Sequence, residues 1–487
     1  NSRWYSGAGI YRPVWQISKK RAHFLPDRFA AEAIETKTGF DLKIRTVASE
    51  KAKLRCTVFD AEGRAVGRGE GAADESITMH LSGVRRWSLE SPYLYTIEAE
   101  LLQNNELQDK ERFRYGFRTW RFDADEGFFL NEKHIKLQGV CLHHDQGLLG
   151  AAYHPAAAKR QLRLMREMGV NAIRTSHNMP APHFLELCDE MGFVVIDEFV
   201  DVWRHAKTEY DYARFFDDWV ERDVASWIRR DRLHPSVVMW SIGNEIYDTH
   251  EGPEGKRTMR YLMDLVRLHD PEEHAAITLG SNFMAGENTQ RCADILKLIG
   301  YNYAERLYDE HHAAHPEWKI YGSETCSTLQ SRGIYHFPYE QPVLTDDDLQ
   351  CSVLGNTTTS WGAKDIPFIL EFEAGCDFSA GQFIWTGIDY IGEPTPYTTK
   401  NSYFGMCDTA GFPKDSYYLF QAAWREKKKE EPVLHLYPYW DWNPGQMIDL
   451  MAASDAAEVE VLVNGKSLGR KALDPAAGKV LAHFKAP

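Results

Sequence analysis

Between about residues 119 and 429, hydrophobic strand-like runs alternate with helical patterns, and this rhythm constrains the fold more than any other feature of the chain. Candidate strands are His134–His144, Val170–His177, Phe193–Val200, Val237–Glu245, Ala275–Asn282, Lys297–Tyr303, Trp318–Glu324 and Gly381–Tyr390. Helical spacing is clear over Pro155–Met168, Pro182–Met191, Phe215–Arg232 and Lys256–His269. Strands joined by helices form a parallel sheet covered on its faces. Eight such strands within roughly 300 residues predict a closed (β/α)8 barrel rather than an open sheet. No glycine-rich phosphate loop follows any strand, which disfavours a nucleotide site.

The flanks have a different rhythm. Residues 18–118 carry short alternating runs, such as Phe40–Val47, Lys53–Phe59 and Leu94–Leu101, with Asp60-Ala61-Glu62-Gly63 as a turn. Such a period-2 pattern broken by regular turns predicts a β-sandwich. Residues 1–17 are strand-like with a glycine turn and are read as the tail of a β domain that is mostly missing. From 430 to 487 alternation returns at Gln446–Ala453 and Glu458–Leu462, with a hairpin at Asn464-Gly465, as the start of another β domain. The fold class expected is therefore multidomain, with a (β/α)8 barrel over 119–429, a sandwich before it and partial β domains at both ends.

Charge and composition narrow the function. A net charge of −15 argues against nucleic acid or an anionic membrane as the main partner. No apolar run approaches the roughly 18–20 residues of a spanning helix. Aromatics make up 13% of the chain, which suits the apolar faces of sugar rings and equally suits a large packed core. The eight cysteines are scattered, with no CxxC pair and no Cys/His cluster. They read as free thiols of a reducing compartment, which favours the cytoplasm. The chain opens Asn1-Ser2-Arg3-Trp4, with neither a methionine nor a signal peptide, so its start reads as truncated and secretion stays open.

Reactive residues of a (β/α)8 barrel sit at the C-terminal ends of its strands. Here those ends offer His143-His144-Asp145, Arg174 to His177, Asp197-Glu198 followed by Asp201 and Trp203, Asn244-Glu245, Tyr301-Asn302-Tyr303, Glu324, and Trp385 with Asp389-Tyr390. Val237–Glu245 and Trp318–Glu324 each deliver one glutamate to the same face of the barrel. Two carboxyls across a cleft are the minimum equipment for cleaving a glycosidic bond, and a retaining enzyme needs them about 5–5.5 Å apart. The charge of one raises the pKa of the other, and Asn244 beside Glu245 is placed to hydrogen-bond a sugar 2-hydroxyl. The structural alternative makes Glu245 and Glu324 ion-pair partners of Arg174 or of another buried arginine.

Several stretches resemble glycoside hydrolase family 2, the family of β-galactosidases, β-glucuronidases and β-mannosidases. They are GAGIYRPVW (7–15), GFRTWRF (116–122), IRTSHNMPAPHFLELCDEMGFVVIDE (173–198), RDRLHPSVVMWSIGNE (230–245), GSET (322–325), FIWTGIDYIGEPTPY (383–397) and SYFGMCDTAGFPKD (402–415). The resemblance implies that Glu245 is the acid/base and Glu324 the nucleophile. It implies substrate contacts from His143, His177, Asn244, Tyr303 and Trp385, with Arg174 beside them. It also implies the order of domains: the end of a jelly-roll (1–17), an Ig-like sandwich (18–118), the barrel (119–429) and the start of a C-terminal Ig-like domain (430–487).

Two departures shape the expected activity. Magnesium-dependent galactosidases of the family carry a Glu-x-His metal pair after the third strand, and Val202 and Arg204 stand there instead, so no metal and no cofactor is carried over. The glucuronidases' Asn-x-Lys carboxylate clamp is absent, with Thr399-Lys400-Asn401-Ser402 in its place, where Lys400 is either a rim residue or an unusual clamp. The pattern is similar to β-galactosidases, which implies that Asp201 and Trp203 contact galactose hydroxyls, or else hold a loop. The expected function is a retaining exo-β-galactosidase acting on oligosaccharides or glycoconjugates. The alternatives are a β-glucuronidase of the same family and a non-catalytic carbohydrate-binding barrel. A homo-oligomer is left open, and the long loop 330–364 is expected to shape the leaving-group side.

Overall fold

The computed structural model describes residues 3–345, 350–359, 361–426 and 431–487. At its centre eight parallel strands close into a barrel in chain order: Leu137–Leu142, Ala172–Thr175, Val194–Glu198, Val237–Asn244, Ala276–Ser281, Leu298–Asn302, Lys319–Thr325 and Gly381–Ile384. A helix follows each, namely Pro155–Met168, Pro182–Met191, Phe216–Asp231, Gly252–His269, Glu287–Leu296, Tyr308–Ala314, Ile366–Ala374 and Asp415–Trp424. Local chemistry sets the helix ends. In Pro155–Met168 the His154 side chain accepts from Ala156 N, proline takes the first turn, and Gly169 at φ 100° ends the helix. Ala158, Leu162, Met165 and Met168 form its buried stripe.

Both faces of the barrel strands are buried, so the sheet reads as near-continuous apolar runs. Val195, Trp240, Ile242 and Ile299 pack outward beneath the helices, whereas Val194, Ile196, Met239 and Tyr321 fill the interior. Toward the C-terminal ends the inward positions turn strongly polar, with Glu198, Ser241, Asn244 and Glu324 buried there.

The sandwich stands at the other end of the barrel. A three-stranded antiparallel sheet (Ala30–Thr36, Gly39–Arg45, Ile77–Ser82) faces a four-stranded one (Ala65–Ala72, Lys53–Phe59, Tyr95–Gln103, Glu106–Tyr115). Leu42, Ile44, Leu54, Val58 and Ile97 fill the space between them. Buried Arg118 ties the sandwich to the amino end of the fourth barrel strand by donating to the carbonyls of Pro235 and Val237. At the C-terminus, Leu434–Tyr437, Ile448–Ser454 and Leu481–Ala486 form one sheet, and Glu458–Val463 pairs with Lys466–Ala472 through Asn464-Gly465, both at positive φ.

One expectation is corrected. Residues 3–17 form no strand, and their only sheet-like pairing among the described residues is a single antiparallel bridge from Trp4 to Gly392. They lie as a strap over the barrel mouth: Tyr5 N donates to Ile391 O, Tyr153 N to Tyr11 O, and Arg12 to the carbonyls of Met179 and Pro180. In the 330–364 loop, Phe337 packs on Trp442 of the C-terminal domain, while residues 346–349 and 360 lie outside the described residues. The expected boundary at 429/430 likewise falls outside them.

Candidate active site

The fourth and seventh strands bring Glu245 and Glu324 to one bowl. Glu245 follows the fourth strand at φ 46°, with its N–H donating to Gly280 O at 2.8 Å. Tyr303 leaves the sixth strand at φ 54°, and its N–H donates to Glu324 O at 2.9 Å. Left-handed backbone at non-glycine residues costs of order 1–2 kcal/mol and concentrates at functional sites. Here the turn aims the Tyr303 hydroxyl back at Glu324, where it donates to Oε2 at 2.9 Å.

Arg174, fully buried, is the floor of the bowl. It donates from Nε and Nη2 to Glu198 (3.0 and 2.8 Å to Oε2), from Nη1 to Glu324 Oε1 (2.9 Å) and Ser323 O (3.0 Å), and from Nη2 to Asn244 Oδ1 (2.9 Å). Glu198 also holds His177 Nδ1 at 2.6 Å and accepts the Ser241 hydroxyl at 2.7 Å. With Nδ1–H given to Glu198, His177 turns Nε2 toward Glu324, 3.6 Å away. Asn302 completes the floor by donating to Asn244 Oδ1 at 3.1 Å and Glu245 Oε1 at 3.0 Å.

One wall is aromatic. Trp385 stacks on His177 at 5.1 Å, His143 meets Tyr390 at 4.1 Å, and Trp4 closes over His143 at 4.9 Å. Neither His143 nitrogen has a hydrogen-bond partner among the described residues. The opposite wall is ionic. Lys207 donates to Asp201 (2.7 Å) and to Asn244 O (2.9 Å). Arg3 lies 3.3 Å from Asp201, 3.8 Å from Glu393 and 3.9 Å from Glu245.

Burial dominates the titration of these groups. It pushes the Glu324 carboxyl up to about 7, with help from the charge of Glu245 and against the donors of Arg174 and Tyr303. Burial also holds His143 and His177 well below their usual value, so both rings are neutral near pH 7. For Asp201, burial is outweighed by Lys207 and Arg3, and its carboxyl stays below the usual range. For Arg3, burial is outweighed by Asp201, Glu393 and Glu245, so its charge is secure.

The fold gathers Glu245, Glu324, His143, His177, Asn244, Asp201, Tyr303 and Trp385 around this bowl. Two expected substrate contacts, Trp203 and Arg174, lie beneath or outside the open bowl. Trp203 is fully buried in the apolar layer outside the barrel, and its indole N–H donates to Ile242 O at 2.8 Å. The fourth strand loses register with the fifth between Ser241 and Asn244, and the indole satisfies a carbonyl within that irregular stretch. Arg174 has no exposed surface and spends its donors on protein acceptors, so it reaches a substrate only through Glu324 and Asn244. The structural alternative is thus half realised, since Glu324 does pair with Arg174. Sequence reasoning passed over Arg3, Trp4 and Glu393, and it found Glu198 and Asn302 at strand ends without giving either a role.

Lys400 is exposed, and Arg204 turns to Asp217 and Thr258. Among the described residues, the group with metal-ligand spacing is Glu340, Asp449 and His483 near the C-terminal sheets, where Lys485 pairs with Glu340 at 2.7 Å.

Family models match the chain in three places: "Glycosyl hydrolases family 2, TIM barrel domain" over residues 124–424, "Glycosyl hydrolases family 2" over 27–118, and a domain of unknown function (DUF4982) over 445–486. Beta-galactosidase BoGH2A of Bacteroides ovatus is 38% identical over 97% of this chain and 62% of its own length. A putative beta-glucuronidase of Formosa agariphila is 30% identical over 96% of this chain and 47% of its own. A beta-glycosidase from Bacteroides vulgatus superposes with a TM-score of 0.88 at 28% identity, over 99% of this chain and 64% of that one. The chain therefore spans less than two thirds of the length of these relatives. With its barrel and its sandwich each matched by the family's own models, the chain belongs to glycoside hydrolase family 2.

Proposed function

We propose that the protein is a retaining exo-β-glycosidase acting on a neutral terminal sugar, with β-galactosides as the leading substrates. In this reading Glu324 attacks the anomeric carbon and forms a glycosyl ester while Glu245 gives its proton to the departing oxygen. Glu245 then takes a proton from water, whose oxygen displaces Glu324 and releases the sugar with its anomeric configuration retained. The donors of Arg174 and Tyr303 on Glu324 support the nucleophile's role, because they favour the anion against its burial. Trp385 and Trp4 offer the apolar faces on which a sugar ring packs.

The observation that carries the choice of a neutral sugar is the charge balance of the bowl. Arg3 is shared among Asp201, Glu393 and Glu245, and Lys207 is committed to Asp201. A uronate carboxylate brought here meets three carboxyls that already engage both cations, and like charges at that range repel. The similarity to a beta-galactosidase supports the same choice, although relatives named as beta-glucuronidases are numerous. The test is turnover of p-nitrophenyl β-galactoside, β-glucuronide and β-mannoside. Galactoside turnover is expected, and preferred turnover of the glucuronide would overturn the choice of sugar. Galactose binding without hydrolysis would favour the non-catalytic barrel.

A further inference from the structure

We propose that Asn302 is a positioning residue that decides which oxygen of Glu245 carries the catalytic proton. Its amide N–H2 keeps Oε1 an acceptor and leaves Oε2 to exchange the proton with leaving group and water. This inference rests on the reading of Glu245 as acid/base.

The direction of the hydrogen-bond chain is set at one end by a group that can only donate. Arg174 Nη2 lies 2.9 Å from the Asn244 side chain, so the atom facing it must be the carbonyl oxygen Oδ1. The Asn244 N–H2 then points at Asp201 Oδ1, 2.9 Å away, which is an acceptor as required. Asn302 meets that same Oδ1 of Asn244 at 3.1 Å, so it too must present N–H2, and the same nitrogen lies 3.0 Å from Glu245 Oε1. The remaining Asn302 oxygen accepts the Ser323 hydroxyl at 2.5 Å. Arg174, Asn244, Asn302 and Ser323 are all at most 1% exposed. Reversing either amide would set donor against donor in a place water does not reach, so neither amide has a second orientation of comparable energy.

A proton on Oε1 would face the hydrogen of the Asn302 amide, and the free lone pairs are on Oε2. The charged and titratable groups around Glu245 come from several elements: Arg3 of the strap, 3.9 Å from Oε2, together with Glu324, Tyr303, His250 and Glu393, whose own titrations each feel Glu245. At 3.9 Å Arg3 is an ion-pair neighbour and not a hydrogen-bond donor, so Oε2 keeps room for a proton. Asn302 is the direct donor to Oε1. Removing it takes a direct amide donor from the Glu245 anion.

The experiment is the pH dependence of kcat/KM for Asn302→Ala and Asn302→Asp on whichever aryl glycoside is turned over, using one aryl group that needs protonation to depart and one, 2,4-dinitrophenyl, that does not. With the poor leaving group, the alkaline limb is expected to move up by about one pH unit in Asn302→Ala. In the isosteric Asn302→Asp it should move further, because a like charge now sits beside Glu245. The dinitrophenyl substrate should show no such shift. An alkaline limb unmoved in a variant that keeps the wild-type circular dichroism overturns the proposal, and the aspartate variant decides if the alanine variant does not fold. A different result addresses the underlying reading: if Glu245→Gln retains the wild-type limb and leaving-group dependence, Glu245 is not the acid/base.

Discussion

Arg174 holds Glu324 from beneath: its Nη1 donates to Oε1 at 2.9 Å while its other edge is held by Glu198 through Oε2 at 2.8 Å. One guanidinium is thus shared by two fully or nearly fully buried carboxyls at the ends of the third and seventh strands. The pairing makes Glu198, which lies below the bowl, a support of the candidate nucleophile. Breaking a buried pair by removing one partner leaves an uncompensated charge, at a cost of about 3–5 kcal/mol. Arg174→Met is therefore expected to lose about that much stability in urea titrations and to abolish turnover. Adding Glu198→Met should return much of the stability and none of the activity. A stable, active Arg174→Met would contradict this role.

The pH dependence follows from the raised Glu324 carboxyl. A nucleophile must be an anion, and a carboxyl pushed up to about 7 by burial and by the charge of Glu245 is largely protonated below about pH 6. Turnover of a dinitrophenyl glycoside, whose departure needs no proton from Glu245, is expected to climb with pH through the neutral range. Glu245→Gln removes one of the raising charges, so its acid limb on a dinitrophenyl glycoside should move to lower pH than in the wild type. An acid limb that stays in place, or moves up, would show that Glu245 does not act on Glu324 through its charge.

The placement of Trp203 in the outer layer of the barrel invites a test. Its indole satisfies Ile242 O from the outer layer of the barrel and presents nothing to the bowl. Trp203→Phe should lose about 1–2 kcal/mol in thermal unfolding from the unpaired carbonyl and the lost volume, with KM changed by less than about twofold. A large rise in KM at unchanged stability would restore it to the substrate's side.

The barrel was legible because its signals are local. Pro155–Met168 and Pro182–Met191 were readable to the residue, since proline opens each and a glycine beyond each closes it. The strand ends delivered Glu245, Glu324, Asn244 and Tyr303 for the same reason. Glu198 and Asn302 were harder to rank. In strands buried on both faces, the inward positions do not stand out by alternation, and Asp197 beside Glu198 is equally buried. Trp203 lies beyond its strand, where period-2 reasoning no longer applies. Arg3 and Trp4 reach the bowl from the far end of the sequence, in a segment whose strand-like reading gave no sign of the distant loops and bridge that hold it.

The central claim is that Glu324 forms the covalent bond to the sugar. Incubation with a 2-deoxy-2-fluoro-β-galactosyl fluoride traps such an ester, and peptide mass mapping locates it. The account predicts time-dependent inactivation with one fluoroglycosyl group on Glu324, absent from Glu324→Gln. An adduct on Glu245 or Glu198, or full turnover by Glu324→Gln, would contradict it.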